Sequence, residues 1–249
     1  MARSETAIEI EPLSTERQFQ EAVSLQKTIW GFDEIELLPV RLFVVAGKIG
    51  GQVFGAYDNG RMIAFCLAIP GIKPGGRSYL HSHMLGVLPA YRDRGTGRRL
   101  KLRQREDAIA RGIDLIEWTF DPLELKNAYF NMQRLGAIVR RYVRNQYGTT
   151  TSHLHGGLPT DRCIAEWWVD SERVRRIIAG EPFENPPIVE HIRLPADIAE
   201  IRRNDPPRAR AIQSEMSDLF DAAFRDNLAV TGVERTPEWG TYLLAKAPG

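Results

Sequence analysis

Apolar and polar residues alternate at Ile8-Glu9-Ile10-Glu11, a period of two that predicts a strand over 7–12. Behind Ser14 and Thr15, both able to cap a helix, Phe19, Ala22, Val23, Leu25 and Ile29 recur at roughly helical spacing as far as Gly31, predicting a helix over 15–30. A second helix over 39–49 follows Pro39 and stops at Gly50-Gly51. Two apolar runs, 53–57 and 62–69, flank Asp58-Asn59-Gly60, and Asn-Gly between such runs signals a tight hairpin. The pattern then predicts a strand over 79–88, a helix over 96–111, a strand over 115–120, a helix over 125–135, and strands over 138–147 and 163–169. A mixed, mostly antiparallel sheet flanked by helices, of the α/β (α+β) class, accounts for this order.

Beyond Asp170 the pairs Pro186-Pro187 and Pro206-Pro207 break the chain into shorter pieces: a helix, a strand over 188–194, helices over 197–204 and 208–226, and strands over 228–235 and 241–246. The expected organisation is a core over 1–170 and a small βαββ-like extension over 171–249, serving as lid or subdomain.

Composition narrows the class. Of 249 residues, 43% are hydrophobic and 26% charged, the balance of a globular protein. No apolar run approaches the ~20 residues of a membrane span, and the opening residues lack the apolar core of a signal peptide. Two cysteines, Cys66 and Cys163, each inside an apolar run, suit a reduced compartment and core thiols. A cytoplasmic protein without membrane association is expected. The net charge is +1, yet residues 91–105 hold seven Arg or Lys against one Asp, and residues 125–160 hold five against no acid. Segregation of this kind points to an anionic ligand or nucleic acid, set against the commoner case of a solvated helix face.

The richest segment is Leu85-Gly86-Val87-Leu88-Pro89-Ala90-Tyr91-Arg92-Asp93-Arg94-Gly95-Thr96-Gly97-Arg98, in which a strand, a glycine turn and a helix start follow one another. The first N–H groups of a helix have no intrahelical partner and sit at its positive end, so a pyrophosphate gains hydrogen bonds and charge stabilisation there. Gly95 and Gly97 admit a phosphate to the backbone, and Arg92, Arg94, Arg98 and Arg99 offer forked donors. The Gly-Lys-Ser/Thr ending of a P-loop and the third glycine of the dinucleotide fingerprint are both missing.

Arg92-x-x-Gly95-x-Gly97 between strand and helix resembles the GNAT superfamily of acyl-CoA-dependent N-acyltransferases, over about residues 7–170. Trp118-Thr119-Phe120-Asp121-Pro122, Leu135-Gly136-Ala137 and Glu166-Trp167-Trp168 resemble a little-characterised branch of predicted acetyltransferases within it. The resemblance implies that Arg92, Arg94, Gly95, Thr96, Gly97 and Arg98 hold the CoA pyrophosphate, while Leu85, Gly86 and Val87 bond the pantetheine arm. Asn127 lies two residues from the superfamily's pantetheine-contacting Asn. It further implies acetyl-CoA or another acyl-CoA as co-substrate, no metal, and an amine or amino-acid acceptor attacked directly in a ternary complex. The acyl group is acetyl, succinyl or another acyl, and the basic stretch with Arg140, Arg141 and Arg144 suits either a carboxylate-bearing acceptor or a succinyl-type acyl group.

Amine acylation needs a base, and His81 and His83 share one face of the strand leading into the turn. They resemble the paired histidines of arylalkylamine N-acetyltransferases, and His83 is the preferred base, with Glu117 and Asp121 as alternatives. The superfamily's tyrosine acid aligns with Met132, so Tyr129, Tyr142 or water takes that role. Asp161-Arg162 and Asp121 are candidate acceptor contacts, although a surface ion pair is an equal reading for the first two. A metal site from His81, His83, His153 and His155 lacks a completing Cys or acid cluster. Nucleic-acid binding by the arginine-rich helix is disfavoured, because aromatics are few along it and Glu106 and Asp107 end the run. A CoA-binding module without catalysis is the rival from another class, and a homodimer is the candidate assembly.

Overall fold

The computed structural model describes residues 8–148 and 158–248. They form two compact units, one ending at Ile116 and the other beginning at Glu117. The α+β class is as expected: every strand register described is antiparallel, and helices flank the strands. No helix among the described residues is long and apolar enough to cross a membrane.

In the first unit β1 (Glu9–Pro12), β2 (Gln52–Asp58), β3 (Arg61–Ile72) and β4 (Ser78–Val87) pair in that order. Helix α1 (Glu16–Trp30) begins with a capping box, in which Gln18 N donates to Thr15 Oγ1 at 3.3 Å and Thr15 N donates to Gln18 Oε1 at 3.0 Å. It stops at Gly31, as its sequence predicts. The β2–β3 hairpin turns through Asn59 (φ 51°) and Gly60 (φ 75°), the two left-handed residues a type I′ turn requires. Phe43 of α2 (Val40–Lys48) packs on Phe65 of β3 with ring centroids 5.9 Å apart, inside a core that also holds Phe19, Ile63 and Leu67.

Strand β4 is bulged. Leu67 pairs with Met84 and Ala68 with Ser82, which leaves His83 with no residue opposite. Upstream of the bulge, Ser82 points to α3 (Thr96–Ala110), where its Oγ accepts from Lys101 Nζ at 2.8 Å and donates to Gln104 Oε1 at 3.2 Å. Gln52 Nε2 closes the row by donating to Gln104 O and Asp107 Oδ2, both at 2.8 Å. Lys101 is therefore buried inside the unit, and burial lowers its pKa to about 7.

The second unit contains β5 (Leu115–Phe120) from Glu117 onward, α4 (Leu125–Tyr129), β6 (Ile138–Val143) and β7 (Arg162–Trp168), then α5 (Glu172–Ala179), β8 (Ile188–Pro195), α6 (Ile198–Asn204), α7 (Pro206–Arg225), β9 (Leu228–Arg235) and β10 (Trp239–Lys246). Strand order is β5-β7-β6-β9-β10-β8, so the tail joins β6 edge to edge, with Val139 opposite Val230.

Two sequence expectations are corrected in detail. The helix predicted over 125–135 is α-helical only to Tyr129 and continues as a π-turn over Phe130–Arg134. The break between α6 and α7 falls where expected, but Pro206-Pro207 lie inside α7 as its first turn, where a missing N–H costs nothing, and Asp205 caps that turn by accepting from Arg208 N at 3.1 Å. Cys66 and Cys163 are both buried free thiols.

Lys101 makes a testable contribution to stability. Its folded pKa of about 7 lies below the 10.5 of a free lysine, so between those values the unfolded chain holds a proton that the folded one lacks. Stability therefore rises with pH in that window, by roughly 1.4 kcal/mol per pH unit, and the full cost of burying the charge is felt below pH 7. Lys101→Met should be more stable than the parent at pH 7, and the gap should shrink toward pH 9. Urea unfolding of both proteins at pH 7, 8 and 9 measures this.

Candidate active site

The turn after β4 is shaped by two left-handed residues, Asp93 (φ 62°) and Gly95 (φ 79°). Gly95 is the N-cap of α3, and no side chain caps this helix. The first intrahelical bond runs from Arg99 N to Gly95 O at 3.0 Å, which leaves the N–H groups of Thr96, Gly97 and Arg98 without intrahelical acceptors. No acidic residue stands in the first turn. An ideal Cβ added at Gly95 would meet nothing within 4 Å, and one at Gly97 only Leu85 Cδ2 at 3.5 Å and Val87 Cγ2 at 3.8 Å. Gly95 is required by its backbone angle. Gly97 is required neither by angle nor by packing, so the bare face it leaves is suited to a ligand's close approach. An uncapped helix start, an open glycine face and arginines alongside fit a pyrophosphate.

Some of the expected donors brace the turn instead. Arg92 Nε donates to Val87 O at 3.2 Å and its Nη2 to Ile29 O at 3.4 Å, and the buried Thr96 hydroxyl donates to Tyr91 O at 3.4 Å. Arg94 lies over the Tyr91 ring, 5.8 Å from its centroid, while Tyr91 donates to Asp58 Oδ2 at 2.7 Å. Arg99 donates to Ile8 O.

Downstream of the bulge, Leu85 and Val87 turn toward Gly97 of α3. Gly86 faces α1, where a Cβ would come within 2.7 Å of Trp30 Cη2 and 2.8 Å of Ile29 Cδ1, so this glycine is a packing requirement. The rings of His81 and His83 are neighbours, 6.0 Å between centroids. Burial, helped by His83, Lys101 and Lys73, lowers the His81 pKa to about 4, and partial burial of its ring also lowers that of His83, which keeps some access to solvent. Both imidazoles are therefore neutral at pH 7.

In the second unit Glu117 is buried and ion-paired with Arg141. Asn127 is exposed on α4, and Tyr129, half-buried at its end, has no hydrogen-bond partner among the described residues. Asp121 caps Leu123 N at 2.8 Å and pairs with Arg202 of α6 at 3.0 Å. Asp161 accepts from Tyr142 at 2.9 Å, Ser217 at 2.8 Å and Asn145 N at 2.8 Å. Arg162 Nη1 donates to Asp161 O at 2.8 Å, and its guanidinium lies over Tyr147. All three acceptor candidates are thus held inside the unit. His153 and His155 lie outside the described residues.

Two features escaped the sequence. The Lys101–Ser82 pair was hidden because Lys101 stands in a run of arginines, although its place one turn after Gly97 put it on the inner face of α3. The Arg141 pair with Glu117 was signalled only by an acid inside an apolar strand.

The layout at the start of α3 suits an anionic ligand. Residues 19–136, just under half of the chain, match the model of the acetyltransferase (GNAT) family. No curated protein matches it in sequence. Among solved structures it is similar to the ribosomal-protein-S18-alanine N-acetyltransferase of Escherichia coli, with 19% identity, a TM-score of 0.52, and 66% of this chain and 96% of that one covered. A GNAT-family acetyltransferase from Streptococcus pneumoniae gives 14%, 0.50, 64% and 98%. Naa50 of Arabidopsis thaliana, in complex with the bisubstrate analogue CoA-Ac-MVNAL, gives 15%, 0.50, 65% and 98%. At these identities the structural likeness speaks for the fold.

Gly97 separates packing from binding. Gly97→Val should retain the fold, because a Cβ here has room, yet its branched side chain should crowd a phosphate at the helix entrance and weaken CoA binding at least tenfold. Thermal melts and CoA titration on one preparation check both; unchanged affinity would place the pyrophosphate elsewhere.

Proposed function

We propose that this protein transfers an acyl group, acetyl being the simplest, from acyl-CoA to an amine, which attacks the thioester directly in a ternary complex. The observation that carries the reading is the uncapped, acid-free start of α3 with its open Gly97 face, inside the span that matches the acetyltransferase family. In this reading acyl-CoA supplies the activated thioester carbonyl. The N–H groups of Thr96, Gly97 and Arg98 bind the pyrophosphate, with Arg94 and Arg98 adding charge and Arg92 and Thr96 keeping the turn in shape. Leu85, Gly86 and Val87 offer main-chain groups to the pantetheine arm. A β4 N–H holds the oxyanion that develops on the carbonyl.

His83 takes the proton of the ammonium acceptor through water, and the neutral His81 beside it keeps a second cation away from that proton path. The amine nitrogen then bonds to the carbonyl carbon and sheds its second proton to water, the carbon–sulfur bond breaks, and the departing thiolate takes a proton from water.

Two measurements test this. Acetyl-CoA should stabilise the folded protein by about 2.7 kcal/mol at a hundredfold excess over Kd, and dephospho-CoA by less; a well-folded protein that shifts with no CoA species would rule the donor site out. His83→Gln should retain CoA binding while turnover falls by about 10²- to 10⁴-fold, recovering as pH rises and the acceptor sheds its proton unaided. Because burial lowers the His83 pKa, the parent's rate should hold to below pH 6.5 before its acid limb begins. Parental turnover of His83→Gln across pH 6 to 9 would remove His83 as the base.

A further inference from the structure

Lys101 stands four residues after Gly97, so it shares the inner face of α3 and lies about 6 Å further along the axis. Its side chain is buried, and Nζ donates to Ser82 Oγ of β4 at 2.8 Å. Around it, β3 presents Cys66, whose thiol burial pushes up to about 12, and β4 has His81 next to Ser82, neutral at pH 7. β2 presents Gln52. From α3 itself Gln104 accepts from Ser82 at 3.2 Å, while Asp107 accepts from Gln52 at 2.8 Å and pairs with Arg111 at 3.3 Å. On the β1 side Arg99 donates to Ile8 O.

The row from Ser82 through Gln104 and Gln52 reaches the partly exposed Asp107, which gives Lys101 a polar route to the surface. It also has hydrogen-bonding capacity to spare: Gln52 Oε1 and Gln104 Nε2 are buried without partners among the described residues, so an acceptor for a further N–H already lies in the row. Burial brings the Lys101 pKa to about 7. Near neutral pH, then, a charge arriving close by decides whether the amine or the ammonium prevails. A diphosphate at the start of α3 brings two negative charges to a distance on the order of 10 Å from Nζ, along a path through the interior where salt screens little. At an effective dielectric constant of about 20 each raises the pKa by about one unit, less what the neighbouring arginines cancel.

We infer that Lys101 is a further cation of the donor site, acting from inside the protein: it takes up a proton from solvent when the diphosphate of acyl-CoA binds at the start of α3 and returns it when the ligand leaves. This rests on the acyl-CoA reading above and adds to it a residue that lies behind the binding surface. The sign follows. Below pH 7 Lys101 is protonated with or without ligand and affinity is level; above pH 7 affinity falls as pH rises, until the pKa of the complex is passed.

The test is calorimetric titration of the full chain with acetylated dephospho-CoA, which has neither a thiol nor a phosphate monoester to titrate, in two buffers of different ionisation enthalpy. At pH 7.5 the parent should take up about half a proton per ligand, and its Kd should rise about five- to tenfold from pH 7 to 8.5. Lys101→Met, expected above to be the more stable protein at pH 7, should lose that uptake and bind with a level Kd over the same range; Lys101→Gln gives the same reading should the methionine variant misfold. A parent that binds without taking up a proton would overturn the inference. So would equal uptake in parent and variant, which would assign the proton to His81, His83 or another group, and so would a variant with weaker binding but the parent's pH profile, because that is what a packing role gives. Each of these leaves the donor site standing, whereas a well-folded parent that binds no CoA species removes the acyl-CoA reading along with this one.

Discussion

One unpaired residue in β4 decides how the first unit presents its site. Because side chains alternate along a strand, an extra residue at His83 exchanges the two faces for everything downstream. Ser82 before it and Leu85 and Val87 after it can then all turn to α3. Without the exchange Gly86 would face α3, and Leu85 and Val87 would meet Trp30, where not even a Cβ fits at position 86. The glycine turn, the uncapped helix and the strand beside it are in register because of that one residue.

Buried charge is handled in two ways. In the first unit Lys101 is met by the Ser82 hydroxyl, and its ammonium form is disfavoured. In the second unit two carboxylates, Glu117 and Glu166, are met by the guanidiniums of Arg141 and Arg140, which bridge neighbouring strands. A hydroxyl partner leaves the amine free to lose its proton, whereas guanidiniums stay charged and fix direction. The first arrangement ties a helix to a strand; the second stiffens three strands.

What could be read in the sequence was local. Thr15 and Gln18, Asn59-Gly60, and Gly95-Thr96-Gly97 act within a few residues of themselves, and the structure carries each as its spacing implied. Strand alternation located β9 and β10 as well. The bulges at His83 and at Arg140, which stands extra between the pairs Val139–Ala165 and Arg141–Ile164, exist only relative to a partner strand, so no pattern within β4 or β6 announces them. The π-turn looked like plain helix because Leu125, Ala128 and Met132 keep helical spacing. Pro206-Pro207 carry the same dipeptide whether they end a helix or start one, and Asp205 ahead of them was the cue to the second. Around the site, Asp121, Asp161 and Arg162 were chosen for their chemistry, but only the fold reveals how many of their hydrogen-bonding positions are already taken.

The pairing of β6 with β9 has a consequence for how the chain is made. Val139 and Val230 are joined across the sheet although most of the second unit's sequence separates them. Contacts of such long range form late, since a large loop must close first. While the tail is still being synthesised, β6 has β7 on one side and a bare row of N–H and C=O groups on the other. A chain cut after β7 would keep that edge permanently and offer it to other chains as a template for aggregation. The tail thus serves as the stopper of the sheet, and a shortened protein would be expected to fail first in solubility.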